Sequence, residues 1–246
     1  MENDKNIEQV LKIKDLTKSF GANHVLKGFT MTLYKGENLV IMGKSGSGKS
    51  VMIRCLVGLM PPDSGEIEIM GHDITKLKQQ ELDNLRTDLG FLFQGSALYD
   101  SMTVRENLEF PLRTHKEKLA NAEKLVLEAL ENVGLTDAID LMPSELSGGM
   151  KRRVALARAI ILHPKIIIYD EPTTGLDPIT AKEILQLMRE IQQKQGASSL
   201  IITHDVDCSR VISNRMILLI DGINYAEGTF KELSSSKDKK IQAFFK

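Results

Sequence analysis

Residues 43–50 have the spacing of a loop that binds the phosphates of a nucleoside triphosphate. They read G-K-S-G-S-G-K-S, which matches the pattern G-x-x-x-x-G-K-S. Glycines let successive backbone N–H groups turn toward one anion, and Lys49 can then reach the β and γ phosphates while the Ser50 hydroxyl ligates Mg²⁺. The residues predicted to contact the nucleotide here are Gly43, Lys44, Ser45, Gly46, Ser47, Gly48, Lys49, Ser50 and Val51.

The segments on either side of this loop are the ones that a phosphate-binding loop requires. Four apolar residues, 39–42, predict a buried strand before it, and apolar residues at helical intervals from Val51 predict a helix that begins near Lys49. The positive end of that helix dipole would face the phosphates. A solvated lysine in a glycine-rich turn is the alternative, and the flanking strand and helix favour the phosphate loop.

Two further polar sites follow apolar runs that predict buried strands. Asp170 and Glu171 end the run 165–171, and Thr203-His204 closes the run 200–202. Strands that alternate with helices predict an α/β fold with a mainly parallel sheet, whose ligands sit at the carboxyl ends of the strands. We therefore expect Gly43, Asp170 and His204 to converge on one nucleotide.

The composition limits the classes of partner. The 246 residues include 42% apolar residues, enough for a sizeable core, and the 32 basic and 33 acidic residues give a net charge of −1, with no basic excess that would favour nucleic acid. Residues 1–8 are polar and show no secretory signal, and no apolar run approaches the roughly 18 residues that span a bilayer. We expect a soluble chain that acts at a membrane only through a partner, with Cys55 and Cys208 as buried thiols in a reducing compartment.

The remaining patterns predict how the chain is organised. Alternating apolar residues in 11–16, 29–33 and 67–69 predict a small antiparallel sheet, and one helical face in 116–133 lies within a mostly helical stretch, 95–162. Asp177-Pro178 predicts a helix start and Gly196 its end, and 216–222 predicts a strand with a tight hairpin turn. The tail from Ser234 is polar with a short apolar end.

Leu146-Ser147-Gly148-Gly149-Met150 resembles the LSGGQ signature of ABC-type ATPases. The order of the phosphate loop, Gln94, this signature, Asp170-Glu171, Gly175-Leu176-Asp177 and His204 is similar to that family from about residue 11 to residue 232. The resemblance implies an α/β P-loop NTPase fold with a RecA-like core, a small antiparallel β subdomain and an α-helical subdomain. It implies one ABC ATPase domain over residues 10–246, with the helical subdomain at 95–162.

The resemblance also implies roles for single residues. Asp170 would hold Mg²⁺ through water, and Glu171 would polarise the attacking water, which suits phosphoryl transfer because positioning and charge neutralisation supply most of its rate. Gln94 would contact the metal and sense the γ-phosphate, and His204 would bond to the γ-phosphate. Phe20 would stack on adenine, although a core aromatic is the alternative.

The signature implies a second copy of the chain. Ser147, Gly148 and Gly149 precede a helix that carries Lys151, Arg152 and Arg153, which makes a second helix start suited to an anion. In the family, the signature of one subunit closes over the ATP held by the other, and Asp177 resembles the loop that crosses this interface. The implied cofactors are ATP and Mg²⁺, held at two sites between two copies. Met150 replaces the usual Gln, which puts in doubt only what the Gln side chain would add.

The stretch 94–107 is similar to the ATPases of Mla-type phospholipid transport systems, as are Phe110-Pro111-Leu112-Arg113 and the signature that ends in Met. This closer resemblance implies an ABC transporter ATP-binding subunit, peripheral on the cytoplasmic side of the inner membrane. Its partners would be an integral membrane permease and substrate-binding accessory subunits. The apolar residues Ala97, Leu98, Tyr99 and Met102 would line the groove that receives the permease, or they pack inside the helical subdomain.

Two other functions stay open on the sequence. One is an ABC ATPase that energises a membrane complex without moving a solute, as the cell-division and lipoprotein-release members do. The other is a nucleotide-gated dimeriser with negligible turnover, against which Glu171 and His204 argue.

Overall fold

The computed structural model describes residues 8–245, and it separates into two compact units. The first unit contains the described residues up to Arg86 and those from Ser198 onward, and the second is Thr87–Ala197. The polar segment 1–8, in which we expect no secretory signal, lies outside the described residues except for Glu8. No helix in the range 8–245 combines the length and the apolar character that crossing a membrane requires.

The first unit contains the predicted antiparallel sheet and the strand that precedes the phosphate loop. The antiparallel sheet has the strand order β2-β1-β4-β5, and four further strands run in the order β10-β9-β3-β8. The elements are β1 (Gln9–Phe20), β2 (Asn23–Tyr34), β3 (Asn38–Met42), α1 (Lys49–Leu56), β4 (Ser64–Ile69), β5 (His72–Asp73), α2 (Gln79–Arg86), β8 (Ser198–Thr203), α8 (Val206–Ile212), β9 (Arg215–Ile220), β10 (Ile223–Gly228), α9 (Phe230–Ser234) and α10 (Lys239–Phe245).

Burial explains why these segments are strands. All five residues of β3 are buried, as are all six of β8. Strand β3 lies between β8 and β9 and is parallel to both, and strands of parallel sheets are generally buried on both faces. In β1, apolar residues such as Leu11 and Ile13 are buried while the lysines between them are exposed, as expected for a sheet with one covered face. The hairpin between β9 and β10 turns through Asp221 and Gly222, whose φ angles are 53° and 83°.

The second unit is mostly helical and also holds two parallel strands. Its elements are β6 (Leu89–Leu92), α3 (Val104–Glu109), a 3₁₀ segment (Phe110–Thr114), α4 (Lys116–Leu119), α5 (Ala122–Glu131), 3₁₀ turns at Thr136–Ala138 and Pro143–Glu145, α6 (Gly148–Ile160), β7 (Ile166–Asp170) and α7 (Pro178–Gln195). Strand β6 pairs with β7 in parallel register. The predicted helical stretch 95–162 lies wholly inside this unit.

One helix prediction is wrong in its extent. The segment 116–133 forms two helices, because Asn121 leaves helical backbone geometry (φ −113°, ψ 20°) between α4 and α5. Its side-chain amide donates to the Glu117 carbonyl at 3.3 Å, which offers the backbone an alternative to a continued helix. Leu119, placed on the apolar face by periodicity, is therefore 42% exposed.

Helix α7 begins and ends as its sequence predicts. Asp177 is the N-cap and accepts hydrogen bonds from the backbone N–H groups of Ile179 and Thr180, each at 3.0 Å, while Pro178 occupies the first turn. Gly196 closes the helix in a left-handed conformation with φ of 65°. Cys55 and Cys208 are both buried, as predicted, and burial raises the pKa of the Cys55 thiol.

Candidate functional site

The phosphate loop joins β3 to α1 in the first unit. Gly46 and Gly48 have φ angles of 77° and 106°, values that side chains with a Cβ adopt only under strain. A Cβ on Gly43 would lie 2.4 Å from the Ser47 hydroxyl oxygen and 3.0 Å from the Leu219 carbonyl oxygen, so a side chain there would displace Ser47 within the loop. The buried Ser47 Oγ has no hydrogen-bond partner among the described residues. A tight backbone cradle that contains an unsatisfied polar atom fits a phosphate group.

Lys49 is held at this loop by the loop's own backbone. The side chain is buried, and its Nζ donates to the carbonyl oxygens of Gly43 at 2.6 Å and Lys44 at 3.2 Å. Helix α1 has no acidic residue in its first turn and no side-chain cap at Gly48. The first N–H groups of α1 and the ammonium of Lys49 therefore make this end of the helix positive, as an anion site requires.

His204 comes to the same sheet edge as the loop. Met42 and Thr203 are partners in the register of β3 and β8, so Gly43 and His204 both follow directly from the carboxyl ends of adjacent strands. Asp205 fixes the chain after His204, since it caps α8 through the N–H groups of Asp207 and Cys208. The exposed His204 side chain thus stands between a strand end and a helix start.

Phe20 ends β1 and is 48% exposed, with the ammonium of Lys18 5.8 Å from its ring centroid. The core-aromatic alternative for Phe20 is therefore wrong. An exposed ring beside a cation is available to stack on a planar base.

In the second unit, Gln94 and the acidic pair lie at one sheet edge. Leu92 pairs with Tyr169 at the end of the β6–β7 register, so Gln94 and Asp170 both follow from this edge. Glu171 is 7% exposed and has φ of 50°, an unfavourable conformation for a residue with a side chain. Its Oε2 accepts from the Thr174 hydroxyl at 3.2 Å, and its carbonyl accepts from the Thr174 N–H at 3.3 Å. These contacts hold the Glu171 carboxylate in one place despite the strain.

The signature residues form the start of α6. Ser147 is the N-cap, and its hydroxyl accepts from the Met150 N–H at 3.2 Å. The space around Gly148 is open, whereas a Cβ on Gly149 would lie 2.9 Å from the Thr180 methyl group. Gly149 therefore lets α6 begin against α7, and the helix start remains free of acidic residues.

Arg152 has a role that the sequence does not reveal. It is 2% exposed and donates to the carbonyl oxygens of Phe93 at 2.9 Å and Thr174 at 3.3 Å. Burial lowers its pKa, and the nearby charge of Asp170 acts in the opposite direction. Arg152 thus ties the residue before Gln94 to the loop after Glu171. The sequence shows only a basic residue at the fifth position of a helix, so it gives no sign of this connection.

Arg153 and Asp177, which lie near the signature, are also engaged in contacts within the chain. Arg153 pairs with Glu183 at 2.7 Å, so two of the three basic residues after the signature, Arg152 and Arg153, bind within the chain. Asp177 uses its carboxylate to cap α7, and the side chain and backbone of Thr180 lower its pKa by hydrogen bonding.

The segment after Gln94 carries an apolar groove of about 420 Å³. Tyr99 and Phe110 lie with ring centroids 4.7 Å apart and are 43% and 38% exposed, and Phe93 is 45% exposed. Arg158 stacks over the Tyr99 ring at 5.7 Å from its centroid. Of the four residues predicted for this groove, Ala97 and Tyr99 line it, while Leu98 and Met102 do not and are half-buried.

The fold and these motifs define an ATP-binding cassette. Residues 26–174 match the family model described as ABC transporter, and the chain belongs to that family. Its fold is that of the ABC ATPases, as expected from the sequence. A solved structure described as a dimeric, post-hydrolysis state of the ATP-binding cassette MJ0796 bound to ADP and Pi aligns with 89% of this chain and 98% of its own, at a TM-score of 0.79 and 34% identity.

Individual relatives divide between cargoes. The methionine import ATP-binding protein MetN of Rhizobium etli is 44% identical over 223 residues, 90% of this chain, and the chain spans 61% of that relative's length. The intermembrane phospholipid transport system ATP-binding protein MlaF of Haemophilus influenzae is 38% identical over 240 residues, 97% of this chain and 91% of the relative. The resemblance to the Mla-type ATPases is confirmed, and the chain also resembles ATPases of other transporters. These relatives therefore do not specify its cargo.

Proposed function

We propose that this chain binds ATP at its phosphate loop and hydrolyses it to drive a membrane transporter. The observation that carries the proposal is the loop itself, in which left-handed glycines, the buried Ser47 hydroxyl and the backbone-held Lys49 surround a space for phosphate. The start of α1 adds a positive end to that space. Turnover, as opposed to binding alone, is supported by Glu171, whose carboxylate is fixed at a strained position after a buried strand.

The residues proposed to bind Mg²⁺ carry oxygen atoms of the kinds that this ion prefers. Ser50 in the first unit offers a hydroxyl, and Asp170 and Gln94 in the second offer a carboxylate and an amide oxygen. By type these are hard ligands of the kind that Mg²⁺ takes together with water and substrate phosphates. No cluster of three or more His, Cys, Asp or Glu residues suited to a metal occurs within residues 8–245, so the phosphates would have to complete the site. Held by these residues, the ion would supply positive charge that offsets the charge of the phosphates.

A second copy of the chain would complete each site. The start of α6 is a helix N-terminus with a hydroxyl cap, two glycines and no acidic residue, which suits an anion. One phosphate loop needs no second helix start from its own chain, so we assign Ser147, Gly148 and Gly149 to the ATP held by the partner copy. The solved MJ0796 cassette is described as dimeric, which supports the pairing of two copies, and we propose that the pair is head-to-tail. Asp177, at the start of α7, would lie near the same interface.

The first experiment tests the phosphate loop. Lys49→Ala removes the ammonium held at Gly43 and Lys44, and we expect ATP affinity measured by calorimetry to fall at least about 100-fold, because a charge-assisted contact to phosphate is lost. Lys12→Ala, which removes an exposed lysine of β1 outside the loop, is the control and should change affinity less than about threefold. Equal affinities for wild type and Lys49→Ala would exclude the loop as the nucleotide site.

The apolar groove supports an integral membrane permease as the partner. Phe93, Tyr99 and Phe110 leave aromatic surface exposed around it, and exposed aromatic patches of this kind are typical of protein contacts. A short helix of a permease would fit such a groove through its apolar face. The chain would then work at the cytoplasmic side of the inner membrane as a peripheral subunit, with substrate-binding accessory subunits on the permease.

The proposed cargo is phospholipid, supported by the similarity to MlaF over 97% of the chain. The second candidate is an ABC ATPase that energises a non-transport complex of the cell-division or lipoprotein-release type. We expect the tagged protein, purified from its native membranes in mild detergent, to bring down a multi-spanning permease with a substrate-binding partner and bound phospholipid. Tyr99→Ala should lose that permease. Recovery of a regulator of cell-wall hydrolases in its place would support the second candidate.

A further inference from the structure

The C-terminal helix α10 lies beside the phosphate loop. Within the first unit, a cavity of about 590 Å³ is lined by loop residues from Lys44 to Ser47, by the start of β2, by the β9–β10 turn and by α10. Lys239, Lys240, Ala243 and Phe244 line it from α10. Positions four apart share one face of a helix, so α10 turns a single face toward the loop.

Polar contacts fix α10 in this place. Asp238 accepts from the backbone N–H of Lys240 at 2.7 Å and from the Tyr225 hydroxyl at 2.8 Å, which anchors the start of the helix to β10. The hydrogen bond from Tyr225 and those from the backbone lower the pKa of Asp238, so it is charged at neutral pH. Lys240 donates to Asp221 in the β9–β10 turn at 3.2 Å. The helix is therefore tied at two points to the hairpin.

Apolar contacts hold the rest of the helix. Ile241 is 8% exposed, and Phe245 meets the ring of Phe230 edge-on with centroids 5.5 Å apart. Both residues therefore serve to pack α10 on the first unit.

The other walls of the cavity are also rigid. The N–H of Lys27 donates to the Gly222 carbonyl at 2.9 Å, and a Cβ on Gly222 would lie 2.4 Å from the Val25 carbonyl oxygen. On the opposite side, a Cβ on Gly43 would lie 3.0 Å from the Leu219 carbonyl oxygen. The hairpin thus packs closely on both β2 and the phosphate loop, and it places α10 against them.

The cavity has a positive charge although the chain as a whole has a net charge of −1. Four lysines line it, Lys27, Lys44, Lys239 and Lys240, against Asp221 as the single carboxylate among the described lining residues. Asp221 is already paired with Lys240, and Lys239 makes no ion pair within the described part of the chain. The cavity therefore attracts anions toward the phosphate loop.

We propose that α10 is a wall of the nucleotide site and that Lys239 is a positioning residue for the triphosphate. This inference rests on the proposed ATP binding at the phosphate loop. The positive charge of Lys239 raises the affinity for a nucleotide, and it raises it more for ATP than for the less negative ADP. Phe244 supplies an apolar surface beside Lys239.

The test is the charge reversal Lys239→Glu in the full chain, with Lys237→Glu as the matched control. Lys237 is an exposed lysine two residues earlier that does not line the cavity. We expect Lys239→Glu to weaken ATP binding about fivefold or more at low ionic strength, to weaken ADP binding less, and to lose most of this effect in high salt. The control should stay within about twofold of wild type under all conditions.

Several outcomes separate this inference from the proposed function. Equal ATP affinities for Lys239→Glu and Lys237→Glu would overturn the role of α10, and so would an equal weakening of ATP and ADP that salt does not change. Suppose that Lys239→Glu fails in one of these ways and Lys49→Ala still weakens ATP binding at least about 100-fold. The phosphate loop then remains the nucleotide site, and only the proposed role of α10 fails. If Lys49→Ala binds normally, the proposed function itself fails. Unfolding temperatures of both variants, measured without nucleotide, confirm that the folded chain is being compared.

Discussion

Single residues in this protein carry strain or desolvation where the proposed chemistry would occur. Glu171 has a left-handed backbone at φ of 50°, and such a conformation costs on the order of 1–3 kcal/mol. Lys49 is buried among backbone carbonyls, and Ser47 keeps a buried hydroxyl without a partner among the described residues. Natural folds keep costs of this kind mainly where a ligand or a reaction offsets them.

The role of Glu171 is testable at the scale of one residue. We expect Glu171→Gln to retain ATP binding, because the amide can still accept from Thr174, and to lower the hydrolysis rate by at least about 100-fold, because the amide cannot polarise water as a carboxylate does. The variant should accumulate as an ATP-bound dimer in size-exclusion chromatography. Steady turnover near the wild-type rate would rule out Glu171 as the residue that activates water.

At the scale of elements, polar side chains of two helices hydrogen-bond to the backbone of the segment after Gln94. Asn107 is fully buried in α3; its amide donates to the carbonyls of Tyr99, Met102 and Thr103, and its oxygen accepts from the Tyr99 N–H at 2.8 Å. Arg158 in α6 donates to the carbonyls of Ser96 and Ala97, two residues with φ of 69° and 47°. The aromatic groove thus depends on hydrogen bonds from two neighbouring helices.

Asn107→Ala tests this dependence. The variant removes four side-chain hydrogen bonds and leaves the Tyr99 N–H and the Met102 carbonyl without a partner among the described residues, while the carbonyls of Tyr99 and Thr103 keep backbone donors, so we expect the free energy of unfolding to fall by about 2–4 kcal/mol. Asn121→Ala removes one exposed amide that makes a single long bond, and it should change stability by less than about 1 kcal/mol. Urea unfolding of both proteins gives the comparison. A difference under about 1 kcal/mol between them would show that the loop keeps its shape without Asn107.

At the scale of the whole molecule, several carboxylates have hydrogen bonds that lower their pKa. For Asp63 the cause is first the side-chain hydrogen bond from Lys18 and then the backbone N–H of Ser19, and for Glu232 it is the capping of α9 at Thr229. A carboxyl whose pKa is lower in the folded state stabilises the fold above its unfolded pKa. That stabilisation is lost as the pH falls through the folded value.

The predicted consequence is a loss of stability in acid. We expect the unfolding temperature to be nearly constant from about pH 6 to pH 8 and to fall steadily below about pH 4, the ordinary range of Asp and Glu. Asp63→Asn should reduce the slope of that fall, because the Lys18 contact no longer depends on ionisation. Scanning calorimetry across this pH range measures both. If the slope in Asp63→Asn equalled that of wild type, Asp63 would have no part in the acid transition.

The amino-acid sequence by itself determined the features that depend on neighbours along the chain. The phosphate loop between β3 and α1, the Asp177 cap of α7 and the hairpin turn at Asp221-Gly222 follow from local backbone chemistry, and the buried strands follow from apolar runs. The ABC ATPase fold was implied by a resemblance to that family, which the order of the motifs along the chain carries. The break at Asn121 was missed because periodicity records the apolar face and not a competing side-chain hydrogen bond.

Only the tertiary structure decided which distant residues meet. Arg152 binds the carbonyls of Phe93 and Thr174, and α10 packs beside the phosphate loop, although its sequence reads as a polar tail with an apolar end. Neither placement can be predicted from the neighbouring residues, because the sequence does not distinguish a buried arginine from an exposed one. What distinguishes them is the hydrogen-bonding and apolar surface that other segments present, and that surface exists only once the chain has folded.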